Sequence, residues 1–567
     1  MRMERTEFTP MTEEIPAWLK LVVSVLVMTA LIALWNALPL RYFVNDDFQL
    51  LYTTWLRSSG LLPERHFAIQ SFHVLPEFLR PLLSVAGQDP ERLWIMRIPF
   101  FVCVASLPIL VWYISRQVIG GTAASFAALA SLFNWGVLER GLDIRPDLLI
   151  TVLVLVQLAI VVRGTLRLRN VLLAGMLSAL MTILRIKSVI FLPLIVIWLI
   201  VCGDSGCGSM TGRNGLVRRL SAFGAGMLLA AGVLLLLISW LGLLPAFIDG
   251  NRSLFSLAAQ HLGEGEVTLH TWALASTKDR LWLGIFACGV ITLLLSPMAP
   301  RPHHCLIALV VTVGAYVLLN PALYAYSLVL LFPLLAPVVG LGCAEVLRLA
   351  RGEKLKQCLA VSLVALGVIP HSGLLADMAN VPTNRHQLDL IEALAKTPPE
   401  THTYSMEGIG LFRPSLYDWR LSYISLGQYR SGKIDLIGQL EAVKPEIIIR
   451  NYRIPGWLDD NGKQWLAQHY VALSPQLFVL GAVSHYGETV VFRTARHAQF
   501  EVSEGAFFIS GARYSAGSII WLPAGDHLLQ GGGVTNVLRF AWPAGKALPQ
   551  GSTPYLIPPD WPQYDGW

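Results

Sequence analysis

The stretch that decides the fold is "AWLKLVVSVLVMTALIALWNALPLRYFVNDD", residues 17–47. Between Ala17 and Leu40 it carries a single charge, Lys20, and it is long enough to cross a hydrocarbon core of about 30 Å as a helix. It is too long for a cleaved signal peptide and lacks an Ala-x-Ala-like exit, so it reads as a first membrane span. The rest of the chain agrees. Of its 567 residues 54% are hydrophobic and only 14% charged, and a mean hydropathy of +0.55 belongs to a polytopic membrane protein. Further candidate spans lie near 94–116, 120–138, 148–163, 170–186, 188–202, 222–244, 280–298, 304–322, 324–347 and 357–375, giving about eleven helices. The pieces 170–186 and 188–202 are short and closely spaced, which suits tilted, partly re-entrant or neighbour-buried segments.

Cations fall in alternate connections: Arg116; Arg163, Arg167 and Arg169; Arg213, Arg218 and Arg219; Arg301; and Arg348, Arg351, Lys354 and Lys356. With Arg2, Arg5 and Lys20 they mark one side as cytoplasmic. The expected topology has an inner N-terminus, outer loops at 41–93, 139–147 and 245–279, and everything after about 376 outside. The seven cysteines all fall in predicted spans or inner loops, so neither a disulfide framework nor a zinc site is expected, and Cys202 and Cys207 read as helix-end residues. The formal charge of +6 reflects anchoring cations, and no basic, aromatic patch points to nucleic acid. No Gly-rich phosphate fingerprint opens a βα unit; the two glycines of "EGIGLF" (407–412) read as turn punctuation.

Three domains are expected: a transmembrane domain over 1–375, an α/β domain over 376–480, and a small β module with a Pro-rich tail over 481–567. "NRHQLDLIEALAK", "DLIGQLEAV" and "GKQWLAQHY" have helical spacing, whereas "THTYSM" and "PEIIIRNY" read as strands. Beyond 480 come short β segments such as "TVVFRTA", "GAFFISG", "SIIWLPAG" and "NVLRFAWPAG". Trp419, Tyr423, Tyr429, Tyr452 and Trp457 suit either a domain core or a saccharide-stacking surface.

Polar chemistry gathers at the outer ends of the spans. Asp46 and Asp47 precede an amphipathic loop bearing Glu64, His66, His73 and Glu77, expected to lie on the membrane surface as short helices. The second outer loop, "LERGLDIRPDLL", concentrates Glu139, Arg140, Asp143, Arg145 and Asp147; Pro146 suits the first turn of the next helix and Asp147 its positive end. It reads either as an ion-paired hairpin tip or as completing a polar pocket with the first loop. "LRIKS" sets Arg185 and Lys187 beside hydrocarbon at an outer junction, where they read either as snorkelling cations or, because the positive-inside bias predicts few cations there, as a hold for a lipid phosphate.

On these residues the sequence resembles the GT-C class of integral-membrane glycosyltransferases, in particular the bacterial branch near the protein O-mannosyltransferases and the aminoarabinose transferases of lipid A. The resemblance rests on Asp46 and Asp47, where that family usually carries Asp-Glu, on the following loop with His73, on "GLDIRPD", and on "LRIKSVIFLP". It implies transfer of one sugar, with inversion, from a polyprenyl-phosphate carrier to a protein, lipid A or other glycan outside the membrane. Asp46 would be the acceptor's base with Asp47 beside it; Arg145, Lys187 and Arg185 would hold the phosphate; Asp143, His73 and His66 would line the pocket. The partners implied are the lipid-linked donor, an envelope acceptor and membrane lipids, with no nucleic acid. No cofactor is certain, and a divalent cation stays open because the wider class divides on it. Two rival readings remain: a transporter or flippase for lipid-linked saccharide, and a non-catalytic envelope-assembly subunit.

Overall fold

A computed structural model of the chain describes residues 16–63, 66–67, 74–163, 167–203, 212–245, 247–248, 265–295, 300–319, 324–405, 408–415, 432, 434–449, 458–474 and 476–543. It divides into two compact units. One holds 1–40, 71–75 and 96–381; the other holds 41–70, 76–95 and 382–567. The loop that follows the first helix therefore groups with the C-terminal residues.

The first unit is helical and membrane-type. Its helices are α1 (Ala17–Ala37), α4 (Ile98–Ile119), α5 (Gly121–Leu132), α6 (Trp135–Arg140), α7 (Pro146–Val162), α8 (Leu168–Leu184), α9 (Leu192–Gly203), α10 (Gly212–Trp240), α11 (Gly265–Lys278), α12 (Arg280–Leu295), α13 (Pro300–Leu319), α14 (Leu328–Leu349) and α15 (Glu353–Asn380). Among the described residues five helices are long and apolar enough to cross a membrane, and six apolar helices are shorter. The junction expected between 170–186 and 188–202 is a break at Arg185 followed by a 3-10 turn, Ile186–Phe191. The hub is α14, whose most apolar window is 89% buried inside the protein.

Lipid tails are as apolar as leucine, so helices in a bilayer gain by close backbone approach. α12 and α14 show this reciprocally. A Cβ built on Gly289 would sit 2.1 Å from the Val338 carbonyl oxygen, and one on Gly342 would sit 2.2 Å from that of Ile285.

The second unit begins with α2 (Asn45–Ser58) and α3 (Leu75–Ala86). α2 is buried on nearly all sides, from Asn45 and Asp47 through Phe48, Leu51 and Thr54 to Arg57. That differs from the one-sided burial expected of a helix lying on a membrane surface, and the chain around it gives the reason. Phe43 N donates to Gln387 Oε1 at 2.7 Å and Gln387 Nε2 donates to Phe43 O at 2.8 Å, so one amide side chain pairs with the backbone as a strand would. Tyr42 N donates to Thr383 Oγ1, and the Tyr52 hydroxyl donates to Arg413 O.

The α/β part supplies α16 (Arg385–Ala395), β1 (Thr403–Ser405), α17 (Leu436–Val443), β2 (Ile447–Ile449) and α18 (Asp460–His469), where the sequence periodicity put them. β1 and β2 are parallel, and the three isoleucines of β2 are fully buried. Then come β3 (Tyr470–Ser474), β4 (Leu477–His485), β5 (Thr489–Thr494), β6 (Ala498–Glu504), β7 (Ala506–Ile509), β8 (Ala512–Ser515), β9 (Ile519–Leu522), β10 (Gly525–Gly531) and β11 (Thr535–Phe540). One sheet runs β1-β2-β4-β11-β6-β9 with β3 on β4, and the other runs β5-β10-β7-β8. Counted from β4, the last eight strands give two four-stranded layers in the double Greek-key order of a jelly roll. Phe492 and Phe540 meet Phe500 edge-on, with ring centroids 5.2 and 6.2 Å apart. The boundary expected at 480/481 falls inside β4, whose first residues pair with β2 and whose last pair with β11.

The α12–α14 approach gives a direct test. Replacing Gly342 by leucine forces two backbones apart and lowers stability by about 1–3 kcal/mol, read as a fall in the melting temperature of detergent-solubilised protein. Substituting Gly373, where an added Cβ meets nothing within 4 Å, leaves it unchanged.

Candidate functional site

In the helical unit the loop 139–147 follows a fixed corner. Asn134 caps α6, its Oδ1 accepting from Val137 N at 2.9 Å, and the Asp279 carboxylate accepts from Trp135 N at 2.9 and 3.2 Å. His371 of α15 places Nε2 3.2 Å from Asp279 Oδ1, and both side chains are buried. The Trp282 indole N–H donates to Phe133 O on the same corner. Sequence reading passed over Asp279 and His371. An aspartate directly before an apolar span and a histidine inside one were the available signals.

From this corner the chain passes Arg140, 3.7 Å from the buried Asp143, and reaches Arg145 at the N-cap of α7. Pro146 opens that helix and Asp147 stands in its first turn. Asp147 is buried and accepts from Arg185 Nη1 at 2.5 and 2.6 Å and from Arg145 Nε at 3.3 Å. The Arg145 guanidinium also lies 3.4 Å from the centroid of the Tyr326 ring, which stacks on Tyr324 at 5.3 Å and 12°. This cation–π contact is close. Tyr326 also stands within electrostatic range of Arg185. Lys187, two residues on, is exposed and within electrostatic range of Arg185, Asp147 and Arg145. Among the described residues it has no ion-pair or hydrogen-bond partner. Three cations thus surround one carboxylate, leaving excess positive charge at an aromatic wall, an arrangement able to hold a phosphate. The tyrosines were missed by sequence reading, although "LYAYS" (323–327) stands out at a predicted span boundary.

In the second unit, Asp46 and Asp47 occupy the first turn of α2. Asp47 is fully buried and its Oδ2 accepts from Val44 N at 3.2 Å, so it caps the helix that carries it. Asp46 is half-buried in the same first turn. Asn45, also missed by sequence reading, is fully buried, and neither Oδ1 nor Nδ2 has a hydrogen-bond partner among the described residues. His66 Nδ1 accepts from Leu62 N at 2.8 Å, a local turn contact that holds the ring. Glu77 bridges the buried Arg57 and Arg80, joining α2 to α3. His73, Glu64, Cys207, the aromatics Trp419, Tyr423, Tyr429, Tyr452 and Trp457, and the Pro-rich tail lie outside the described residues. Among those described, no group of three His, Cys, Asp or Glu side chains could hold a metal ion.

Against this geometry, a family model described as dolichyl-phosphate-mannose-protein mannosyltransferase matches residues 78–209, under a quarter of the chain. That stretch includes Asp143, Arg145, Asp147, Arg185 and Lys187 but not Asp46 or Asp47. Among curated proteins none matches by sequence. Among solved structures, ArnT from Cupriavidus metallidurans bound to undecaprenyl phosphate aligns at TM-score 0.56 and 13% identity, over 81% of this chain and 97% of that one. Its apo state aligns at 0.56 and 12%, over 82% and 98%. The apo oligosaccharyltransferase of Archaeoglobus fulgidus aligns at 0.49 and 11%, over 90% and 76%, a score too low to argue from. The resemblance to GT-C glycosyltransferases read from the short motifs is thus borne out, and the fold is shared with ArnT. The protein is a multi-pass membrane protein with a strand-rich C-terminal region.

The buried pair is testable by itself. Arg185→Met leaves the buried Asp147 with only the longer Arg145 contact and costs about 3–5 kcal/mol, whereas Arg185→Met combined with Asp147→Leu recovers most of that loss. Thermal melts of the two single variants and the double variant close the cycle.

Proposed function

We propose that this protein is an inverting glycosyltransferase that moves one sugar from a polyprenyl-phosphate carrier to an envelope acceptor outside the membrane. The observation that carries the reading is the Arg145, Arg185 and Lys187 group around Asp147, inside the stretch that matches the mannosyltransferase family model. ArnT, whose fold it shares, has been solved with undecaprenyl phosphate, which supports a lipid-phosphate donor here.

The roles follow from charge. As the acceptor oxygen attacks the anomeric carbon, the bond to the carrier phosphate breaks on the opposite face and that phosphate departs with a growing negative charge. Fixed cations stabilise this charge because they need no reorganisation as it forms. Asp147 holds Arg145 and Arg185 in place, and the unpaired Lys187 ammonium contributes most of the free charge. Asp46 takes the acceptor proton; as the less buried acid of the pair it has room to do so, while Asp47 is engaged as a cap. Asp143, His73 and His66 line the pocket, to orient it or to meet sugar hydroxyls. Arg and Lys spacing supports an inner N-terminus and an outer C-terminal unit, and the resemblance of the short motifs to the bacterial GT-C branch supports a bacterial plasma membrane. The acceptor class is a protein, lipid A or another envelope glycan.

Asp46→Asn lowers transfer from a purified polyprenyl-phosphate sugar by about 10²–10⁴-fold while membrane insertion and melting temperature stay unchanged. Near-normal turnover in that variant removes Asp46 from the mechanism. Lys187→Met raises KM for the same donor by roughly 10-fold or more, measured by initial rates; an unaltered KM leaves Lys187 as a cation reaching for the interface.

A further inference from the structure

We propose that the outer face of the β4-β11-β6-β9 layer is a binding platform for neutral saccharide, centred on Trp521. Along β6, β9 and β11 burial alternates: Phe500, Val502, Ile520, Leu522, Leu538 and Phe540 point inward. Their neighbours point out. Trp521 on β9 is 52% exposed, although a residue of its size is normally covered.

The register fixes what stands beside it. Gln499 of β6 is directly opposite Trp521, while Glu501 lies opposite both Ile519 of β9 and Arg539 of β11. Directly paired residues of an antiparallel sheet project to the same side, about 5 Å apart across strands and about 7 Å between alternate residues of one strand. The indole, a carboxamide, a carboxylate and a guanidinium therefore form a flat grid on the scale of a sugar ring and its hydroxyls. His497 adds a second ring, its centroid 4.9 Å from that of Trp521.

Chemistry selects the occupant. An exposed indole offers a flat apolar surface to the C–H face of a pyranose, and the flanking groups offer donors and acceptors to its hydroxyls. Glu501 and Arg539 pair at 3.1 Å and cancel each other's charge, so the face has no net attraction for an anion or a cation. It suits an uncharged polyol. Jelly rolls carry many functions, lectins among them, so the residues and not the fold bear this argument.

The test uses the full-length protein in nanodiscs, labelled with 5-fluorotryptophan, the Trp521 resonance being assigned from Trp521→Phe. Cellotetraose, mannotetraose and galactotetraose are the neutral probes, tetragalacturonate the charged one. The expected result is a saturable shift of the Trp521 resonance with at least one neutral probe and a weaker response to tetragalacturonate. Trp521→Ala then abolishes binding, and Gln499→Ala weakens it roughly 3- to 10-fold. Because Trp521 is exposed on an edge strand, a melt confirms that the alanine variant is folded. A Trp521 signal that none of the neutral probes moves overturns the proposal, as does one that responds only to anionic lipid in the disc. These readouts need no sugar transfer, so they stand or fall separately from the transferase reading.

Discussion

A carboxylate buried among apolar helices has to be matched by cations, and Asp147 is matched twice. Removing such a charge from water costs several kcal/mol after relaxation, which only close geometry and full hydrogen bonding offset. Arg185 supplies the closer contact and Arg145 the second, and the two arginines come from opposite ends of the α7–α8 hairpin. The break at Arg185 and the 3-10 turn behind it are what allow the guanidinium to turn back to Asp147. With both arginines engaged, Lys187 is left over as the uncompensated charge. The pair therefore positions the cations and also sets the sign of the local field.

The same interaction shows what a sequence discloses. Charges in a chain this apolar are conspicuous, so the loop "LERGLDIRPDLL" and the junction "LRIKS" could be singled out, and Pro146 and Asp147 stand in the first turn of α7 as their types required. Partner choice was not legible. That Asp147 rather than Asp143 receives Arg185 depends on how far α8 runs before it breaks. Asp279 and His371 are 92 residues apart in sequence, and neither has a motif around it. Asp47 stands out in the sequence as an acid after an apolar span, and its capping of α2 is a duty that any helix-opening acid can serve.

In the C-terminal unit, local periodicity located β1, β2 and α16 to α18, along with β5, β7, β9 and β11, because each has its own burial pattern. Strand order was hidden, since pairing β4 with β11 is a choice among all edges and no short-range signal specifies it. The composition change at 480 falls within β4, between its pairing with β2 and its pairing with β11. This single nine-residue strand belongs to both the α/β part and the jelly roll, and a break in it would cost hydrogen bonds on either side.

The amide clasp between Phe43 and Gln387 closes over 344 residues. During synthesis the ribosome delivers the acidic helix long before its clasp exists, by roughly 20–70 s at ordinary elongation rates. Until then Asn45, Asp47 and the apolar side of α2 have no C-terminal fold to be buried in. A nascent chain of this kind has reason to recruit a chaperone early, on the face of the membrane where its first loop emerges.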